Sequence, residues 1–208
     1  KNFSGRVTIT ASDRPEIVID AVRRATKDRL DRIKLDIHTS GSNVVVVDAN
    51  QRDHSWWDFV GSNHIVETDF DIKVPRQTQL DLSVFSSPVS VTGVDGSHRL
   101  HGFSSPLVLN DVSGSIQAHT FSGPVTIREK SWEASRTIDV DTFSGSIELH
   151  VPDSARGTVT FNSFSGRLNS EMPLTMHSST RRAIKAELGG GGDGGTFRFK
   201  TFSGSVKI

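Results

Sequence analysis

A unit of the form Phe-Ser-Gly/Ser-x-apolar-x-apolar recurs along this chain and constrains its fold more than any other feature. Its copies begin at Phe3, Phe85, Phe103, Phe121, Phe143, Phe164 and Phe202. Repetition of this kind is typical of stacked-repeat proteins, in which each unit buries its apolar side chains only against neighbouring units. The sequence therefore predicts a stack of short, similar units.

The spacing of the copies predicts the size of each unit. The intervals from Phe85 to Phe103 and from Phe103 to Phe121 are 18 residues each, and weaker copies begin halfway, at Val94 and Val112. Nine residues accommodate one short strand and one tight corner. The later intervals of 22, 21 and 38 residues fit the same unit with insertions at the corners, the last interval corresponding to two units. We therefore predict coils of roughly 18–22 residues with two strands each.

Apolar and polar residues alternate within the copies, as in half-buried β-strands. The predicted inward positions are Val125, Ile127, Ile147, Leu149, Val206 and Ile208. Stacking in register is expected to place Val89 beside Leu107, and Leu107 beside Val125. The sequence thus predicts an all-β protein, a parallel β-solenoid of the β-helix kind, with residues 1–208 in a single domain.

Residues 1–80 are less regular than residues 81–208, the regular repeat region. Strand-like segments occur at IVIDAV, IKLDIHT, NVVVVDAN and HIVETDFDIKVP, and ATKDRLDRIKL has the pattern of a short helix. Solenoids need covered ends, because an open end strand is an aggregation edge. Residues 1–80 are therefore predicted to form an N-terminal β cap.

Composition excludes several classes of function. Lys plus Arg equals Asp plus Glu at 24 each, so the net charge is zero and the chain lacks the electrostatic footprint of a nucleic-acid-binding protein. With no cysteine, the chain has no disulfide, no thiolate nucleophile and no Cys-ligated metal. No apolar run reaches the ~18 residues of a membrane span. Because the chain begins inside a repeat unit, we expect any export signal or anchor to lie outside this sequence.

Three features resemble a known bacterial family. They are the Thr-x-Ser-Gly-x-apolar-x-apolar unit at Thr120, Thr142 and Thr201, the segment LHVPDSARGTVTFNSFSG, and the C-terminal GGGGDGGTFRFKTFSGSVKI. Over most of residues 65–208 the chain resembles the "putative adhesin" family of unknown function, also called toastrack-like domains. The resemblance implies a β-solenoid in the cell envelope, periplasmic or extracellular, and implies no particular biochemical activity.

The sequence leaves the direction of the recurring phenylalanines open. Phe121 shares parity with Val125 of the following strand, which points inward, but opposes Ala118 of the preceding strand. We expect a buried stack at a corner, because six exposed rings would form an unusually large apolar patch. The alternative is an exposed stripe for a partner or for self-association, with Phe103, Phe121 and Phe143 as binding candidates.

Three tryptophans are further candidates for binding. Trp56 and Trp57 lie in the loop-like segment RDHSWWDFVGSNH, and Trp132 lies in the insertion REKSWEASR. Exposed aromatic side chains on a loop offer rigid contact area for a protein or a sugar. We expect Trp56 and Trp57 to plug the end of the core and keep the binding role as the alternative.

One outward column of the strands collects potential metal ligands. Because adjacent coils lie ~4.8 Å apart, His101, His119 and Asp141 are predicted to be neighbours. Two imidazoles and a carboxylate suit a divalent metal. We favour a solvated strand face at this column, and we predict neither a resident metal nor a cofactor.

The sequence shows no catalytic motif. Its Ser-Gly pairs lie outside the Gly-x-Ser-x-Gly pattern, and the acid pair Asp139 and Asp141 is predicted to lie on an open face without a cleft. The glycine-rich run 188–195 matches neither a calcium-binding repeat nor a phosphate loop. We therefore predict a non-enzymatic envelope or surface protein, adhesin-like or scaffolding, that binds a protein or glycan through surface aromatics. The alternatives are a carbohydrate-active β-helix enzyme and a ligand-sensing domain of an envelope-stress system.

Overall fold

A computed structural model describes residues 1–48, 66–190 and 194–208, which form β-strands and one short helix, α1 (Lys27–Arg32). The strands are β1 (Asn2–Ser4), β2 (Val7–Ser12), β3 (Val18–Arg24), β4 (Leu35–Ser40), β5 (Asn43–Asp48), β6 (Glu67–Pro75), β7 (Leu80–Ser86), β8 (Val89–Thr92), β9 (His98–Gly102), β10 (Leu107–Val112), β11 (Ile116–Thr120), β12 (Val125–Glu129), β13 (Thr137–Thr142), β14 (Ile147–His150), β15 (Gly157–Ser163), β16 (Leu168–Asn169), β17 (Leu174–Ser179), β18 (Ala183–Leu188), β19 (Gly195–Thr201) and β20 (Val206–Lys207). The helix lies within the segment predicted to be helical. No helix in the described part of the chain is long and apolar enough to span a membrane.

Most strands belong to two large sheets in which parallel pairing predominates. Sheet A has the order β1-β7-β9-β11-β13-β19-β15-β18-β17, and sheet B has the order β16-β20-β14-β12-β10-β8-β2-β6-β3. Strands β4 and β5 form a separate antiparallel hairpin. Over the described residues neither large sheet closes on itself. The prediction of an all-β protein is confirmed.

Consecutive strands from β7 to β14 alternate between the two sheets, so each strand pairs with the strand two places away in the chain. Strand β10 pairs in parallel with both β8 and β12, which places Leu107 between Val89 and Val125. The predicted register is therefore confirmed. Such pairing brings equivalent positions of successive repeats into columns about 4.8 Å apart.

The core lies between the sheets and is built from alternate residues of each strand. All six predicted inward positions are buried: Val125, Ile127, Ile147, Leu149, Val206 and Ile208. Phe197 and Phe199 of β19 are the largest side chains that are fully buried. The period-two pattern thus assigns the two faces of these strands correctly.

The N-terminal strands join the repeats directly. Strand β1 pairs with β7, and β2 lies between β8 and β6, with parallel pairing in each case. Strand β3 pairs antiparallel with β6 and ends sheet B. The first copy of the unit, from Phe3, therefore occupies the same structural position as the later copies.

The C-terminal repeat departs from the predicted order. Instead of following β15 and β16, strand β19 inserts between β13 and β15, and β20 inserts between β14 and β16. Strand β18 pairs antiparallel with the other edge of β15, so β19 occupies the space between β13 and β15. The interpretation of the 38-residue interval as two successive units is wrong, because a β17–β18 hairpin occupies much of that interval.

Candidate functional site: an exposed phenylalanine ladder

The recurring phenylalanines lie at the corner where the chain passes from sheet A to sheet B, which we call the Phe corner. Because the repeats stack in register, their rings form one continuous column, the Phe ladder. Its spatial order is Phe3, Phe85, Phe103, Phe121, Phe143, Phe202 and Phe164. Neighbouring ring centroids are 4.7–5.1 Å apart and the ring planes differ by at most 5°.

The ladder points outward, so the expectation of a buried stack is wrong. Apart from Phe3, which is partly exposed, its rings are 42–51 % exposed. The alternation resets between Phe121 and Ser122, which are both exposed, after the buried Thr120. Two consecutive outward residues allow the next strand to restart with an inward Val125.

Side-chain hydroxyls close this corner in several of the repeats. Thr142 Oγ1 accepts a hydrogen bond from the backbone N–H of Gly145 at 2.9 Å, and Thr201 Oγ1 accepts one from Gly204 at 2.6 Å. Such local bonds between hydroxyls and backbone favour turns over continued strand. Phe85 and Phe103 also point outward although Val84 and Gly102 precede them, and the buried Thr120 Oγ1 makes no hydrogen bond. The hydroxyl bond therefore reinforces some of the corners, whereas the outward direction of the ring is common to all of them.

The glycines of the unit allow the corners to stack closely. A Cβ atom on Gly145 would lie 2.0 Å from the carbonyl oxygen of Gly123 and 2.8 Å from Thr142 Oγ1. Backbone contacts backbone here, so no flexible side chain is available to move aside. This close approach holds successive phenylalanines at the spacing of adjacent strands.

The ladder exposes ring edges and covers ring faces. Each internal ring is stacked on both sides, and at one end the guanidinium of Arg182 lies 4.5 Å from the ring centroid of Phe164. An aromatic ring is electron-rich on its faces and electron-poor at its edges. A ligand that stacks on open ring faces, as a sugar or a nucleic-acid base does, therefore finds no free face along the interior of the ladder.

A groove of about 760 Å³ runs beside the ladder on the side of sheet A. Its walls are formed by the rings from Phe121 to Phe164 and by an outward row of polar residues, and hydroxyls such as that of Thr142 lie along it. The polar row contains the stacked imidazoles of His101 and His119, 5.3 Å apart between centroids. The groove is thus apolar on one side and polar on the other.

The predicted column of His101, His119 and Asp141 is assembled in register, with a lysine beside its carboxylate. His119 pairs in register with both His101 and Asp141. The Asp141 carboxylate lies 3.5 Å from Lys200 Nζ, which supplies a positive charge where a metal would have to bind. Among residues 1–48, 66–190 and 194–208, no group of three or more His, Cys, Asp or Glu side chains is arranged to hold a metal.

The acid pair Asp139 and Asp141 is likewise compensated. Asp139 lies 4.0 Å from Arg198, and Asp141 pairs with Lys200, on the outer face of sheet A. Glycoside cleavage requires one carboxylic acid and one carboxylate flanking the scissile bond. Each of these carboxylates instead has a cation on the neighbouring strand.

The tryptophan candidates have different outcomes. Trp56 and Trp57 lie outside the described residues, so both interpretations of that loop stay predictions. Trp132 is partly buried: its ring stacks on Phe197 with centroids 4.5 Å apart, and its indole N–H donates to the Arg156 carbonyl at 3.0 Å. Trp132 therefore packs one face of its ring against the core.

The opposite corner, where the chain passes from sheet B to sheet A, contains polar groups that we did not single out from the sequence. We call it the polar corner and define it by Asp95, Ser113, Glu129 and Arg136. The Ser113 hydroxyl donates to Asp95 at 2.7 Å. The Glu129 side chain is fully buried, and its carboxylate lies 3.6 Å from the Arg136 guanidinium.

Burial dominates the electrostatics of Glu129. It raises the pKa of this carboxyl to about 8, although Arg136 opposes the rise. Glu129 pairs in register with the buried Val112, so an ionisable group lies beside an apolar side chain of the core. The burial of Glu129 could have been predicted from the strand sequence VTIRE, because Glu129 has the same inward parity as Val125 and Ile127.

Comparison with known proteins supports the fold. No protein-family model matches the chain, and no curated protein is similar to it in sequence. Among solved structures, a "putative cell adhesion protein" from Clostridium sporogenes has a similar fold, with a TM-score of 0.51 over 100 % of this chain and 90 % of that one. The sequence identity is 8 %, so the similarity concerns the fold alone.

Proposed function

We propose that this protein is a binding module without catalytic activity of its own, an adhesin-like β-solenoid of the cell envelope or surface. Its contact surface is the Phe ladder. The observation that carries the proposal is the outward exposure of the ladder, because monomeric proteins rarely expose so long a continuous apolar stripe without an interaction to make. Membership of the toastrack-like family is part of the proposal.

Two further observations support a binding role. The outward carboxylates Asp139 and Asp141 of sheet A are paired with cations, so they do not supply the acid and base that hydrolysis needs. The solved structure with a similar fold bears the name "putative cell adhesion protein". An adhesive role at a surface agrees with a rigid stack that displays the same side chain at regular steps.

The chemistry of the ladder favours a protein partner over a glycan. Sugars bind aromatic residues by stacking on ring faces, and the faces of Phe103, Phe121 and Phe143 are covered by their neighbours in the ladder. Ring edges in a row offer an apolar ridge that fits another apolar surface. We therefore place the glycan second, as a ligand for sites other than the ladder.

The test measures adhesion of beads coated with the purified protein. Beads settle on a phenyl-bearing surface, on acidic polysaccharide or on neutral polysaccharide, and retention under flow is counted. We expect retention on the phenyl surface only, and we expect F103S/F121S/F143S to abolish most of it. The control V22S/M176S removes exposed apolar residues elsewhere, on β3 and β17, and should retain wild-type adhesion.

Two results would contradict the proposal. Polysaccharide retention that survives F103S/F121S/F143S would place the functional site away from the ladder. The purified protein should not shorten either polysaccharide. If it does, and if D139N or D141N abolishes that activity, the result supports the alternative of a carbohydrate-active enzyme. Circular dichroism and a thermal melt of each variant establish that the variant is folded under the conditions of the adhesion assay.

A further inference from the structure

The surface of the Phe corner consists of two uncharged columns. Beside the rings runs a column of serines, all exposed: Ser86, Ser104, Ser122, Ser144, Ser203 and Ser165. Neither column carries a charge. The Arg182 guanidinium lies against Phe164 at one end of the ladder, and beside the groove Asp141 and Lys200 are paired with each other. Since the chain as a whole has zero net charge, two copies can approach through this surface without electrostatic repulsion.

The period of the ladder restricts which surface can complement it. The rings repeat every 4.7–5.1 Å along six steps, so the ridge is about 29 Å long. A helix or an irregular loop has no matching repeat, whereas another stack of in-register strands has the same one. Identical side chains stacked at the strand spacing form the dry, interdigitated interfaces of paired β-sheets. The surface that best matches the Phe ladder in repeat distance and in side-chain chemistry is the Phe ladder of a second copy.

The area is consistent with a weak, reversible pair. A phenylalanine offers roughly 200 Å² of surface, so six rings that are nearly half exposed present about 550 Å² in all. Two ladders in contact bury about 1,100 Å², the lower end of the range for specific protein interfaces. The serine columns add polar contact at the rim.

We propose that two copies of this chain pair ladder to ladder about a twofold axis. The inference rests on the proposed function, because it assigns the partner of the same surface. A twofold axis brings equivalent patches of the two copies together. Phe121 lies in the middle of the ladder, so it and Ser122 meet their own counterparts whether the two ladders run parallel or antiparallel. A surface coated with the protein then adheres to a second coated surface.

The absence of cysteine makes a crosslinking test clean. Ser122→Cys places one thiol beside the centre of the ladder, and Ser97→Cys places one exposed thiol at the opposite corner. Under mild oxidation we expect the disulfide-linked dimer of Ser122→Cys to form at least about tenfold faster, because pairing raises the local thiol concentration. Adding F103S/F143S to Ser122→Cys should abolish the difference.

Sedimentation velocity of the unmodified protein is the second measurement. We expect the mean sedimentation coefficient to rise with concentration toward that of a dimer. F103S/F121S/F143S should stay monomeric, and V22S/M176S should associate like the wild type. The milder Phe121→Leu, which keeps an apolar side chain but removes the stacked ring, should weaken association without abolishing it.

The outcomes separate this inference from the proposed function. Equal crosslinking of Ser122→Cys and Ser97→Cys, with a monomer at every concentration, overturns the pairing. If F103S/F121S/F143S still loses adhesion to the phenyl surface, the ladder remains the binding site and takes a different protein partner. Dimerisation that survives F103S/F121S/F143S also overturns the pairing and places the dimer interface elsewhere.

Discussion

The Phe corner and the polar corner connect the same two sheets, but they differ in how alike their repeats are. At the Phe corner, the first inward residue of the next strand lies four residues after every phenylalanine, from Phe3 and Val7 to Phe202 and Val206. At the polar corner the connections vary, from residues 113–115 to residues 130–136. Insertions therefore accumulate at the polar corner.

Contact between neighbouring repeats explains the difference. At the Phe corner the backbones touch and the rings stack, so an extra residue would disturb the repeats on both sides. At the polar corner side chains such as Trp132 fill the space between longer connections, and loops absorb insertions at small entropic cost. Regularity thus marks the surface on which the proposed function depends, and irregularity marks the surface that the fold leaves free to vary.

The largest expected effect comes from filling the backbone contact at the Phe corner. Gly145→Ala places a Cβ atom against the Gly123 carbonyl and the Thr142 hydroxyl, and neither can move without shifting a stacked repeat. We expect a loss of more than about 4 kcal/mol in the free energy of unfolding. Urea denaturation measures it.

Ser144→Ala is the matched control, because Ser144 is the exposed neighbour of Gly145 at the same corner. It should change the free energy of unfolding by less than about 0.5 kcal/mol. Equal effects of the two substitutions would show that the corners are not in tight contact.

At the polar corner the expected effect depends on pH. In the unfolded chain Glu129 ionises near its ordinary pKa of 4.5, whereas burial raises its pKa to about 8 in the folded protein. Glu129 therefore stays protonated to a higher pH in the folded state than in the unfolded state. Its contribution to the free energy of unfolding is greatest below pH 4.5 and falls as pH rises toward 8. We expect a loss on the order of 4 kcal/mol between pH 5 and pH 9.

Glu129→Gln and Glu129→Val should both remove this pH dependence, since neither side chain ionises. Valine also reproduces the residue with which Glu129 pairs in register, Val112. The exposed control Glu148→Gln should leave the pH dependence in place. The measurement is the urea denaturation midpoint at a series of pH values. If the midpoint of Glu129→Gln still falls with rising pH, the pH dependence belongs to another group.

The smallest expected effect concerns the stacking energy of the ladder. Phe121→Ala removes two stacked contacts, with Phe103 and Phe143, at a cost of about 1–3 kcal/mol. Phe3→Ala removes one such contact at one end of the ladder and should cost about half as much. Equal costs, measured as shifts of the urea midpoint, would mean that the rings do not stabilise one another.

Local patterns in the sequence were sufficient to predict the strands and their inward faces. Val125, Ile127 and Leu149 are buried where the period-two alternation places them, because alternate residues of a strand always point to opposite faces. The 18-residue interval predicted the pairing of Leu107 with Val89 and Val125 for a similar reason, since equal units stack in register. These features depend on residues that are close together in the chain.

The candidate site was predicted only in part. The sequence brought Phe103, Phe121 and Phe143 together in one column, but parity within Phe-Ser-Gly could not decide their direction. That direction is seen only in the folded structure, where Phe121 and Ser122 are both exposed between the inward Thr120 and Val125. The position of the Trp132 ring depends on its contact with Phe197, which is distant in the chain.

By itself, the sequence determined that the chain is an all-β protein with regularly spaced strands and a recurring phenylalanine, because alternation and spacing are local properties. Only the tertiary structure decided the order of the last repeats. Strand β19 lies between β13 and β15, which come earlier in the chain, because β18 occupies the other edge of β15. Strand edges compete for partners across the whole fold, and that competition placed Phe202 between Phe143 and Phe164, completing the exposed ladder.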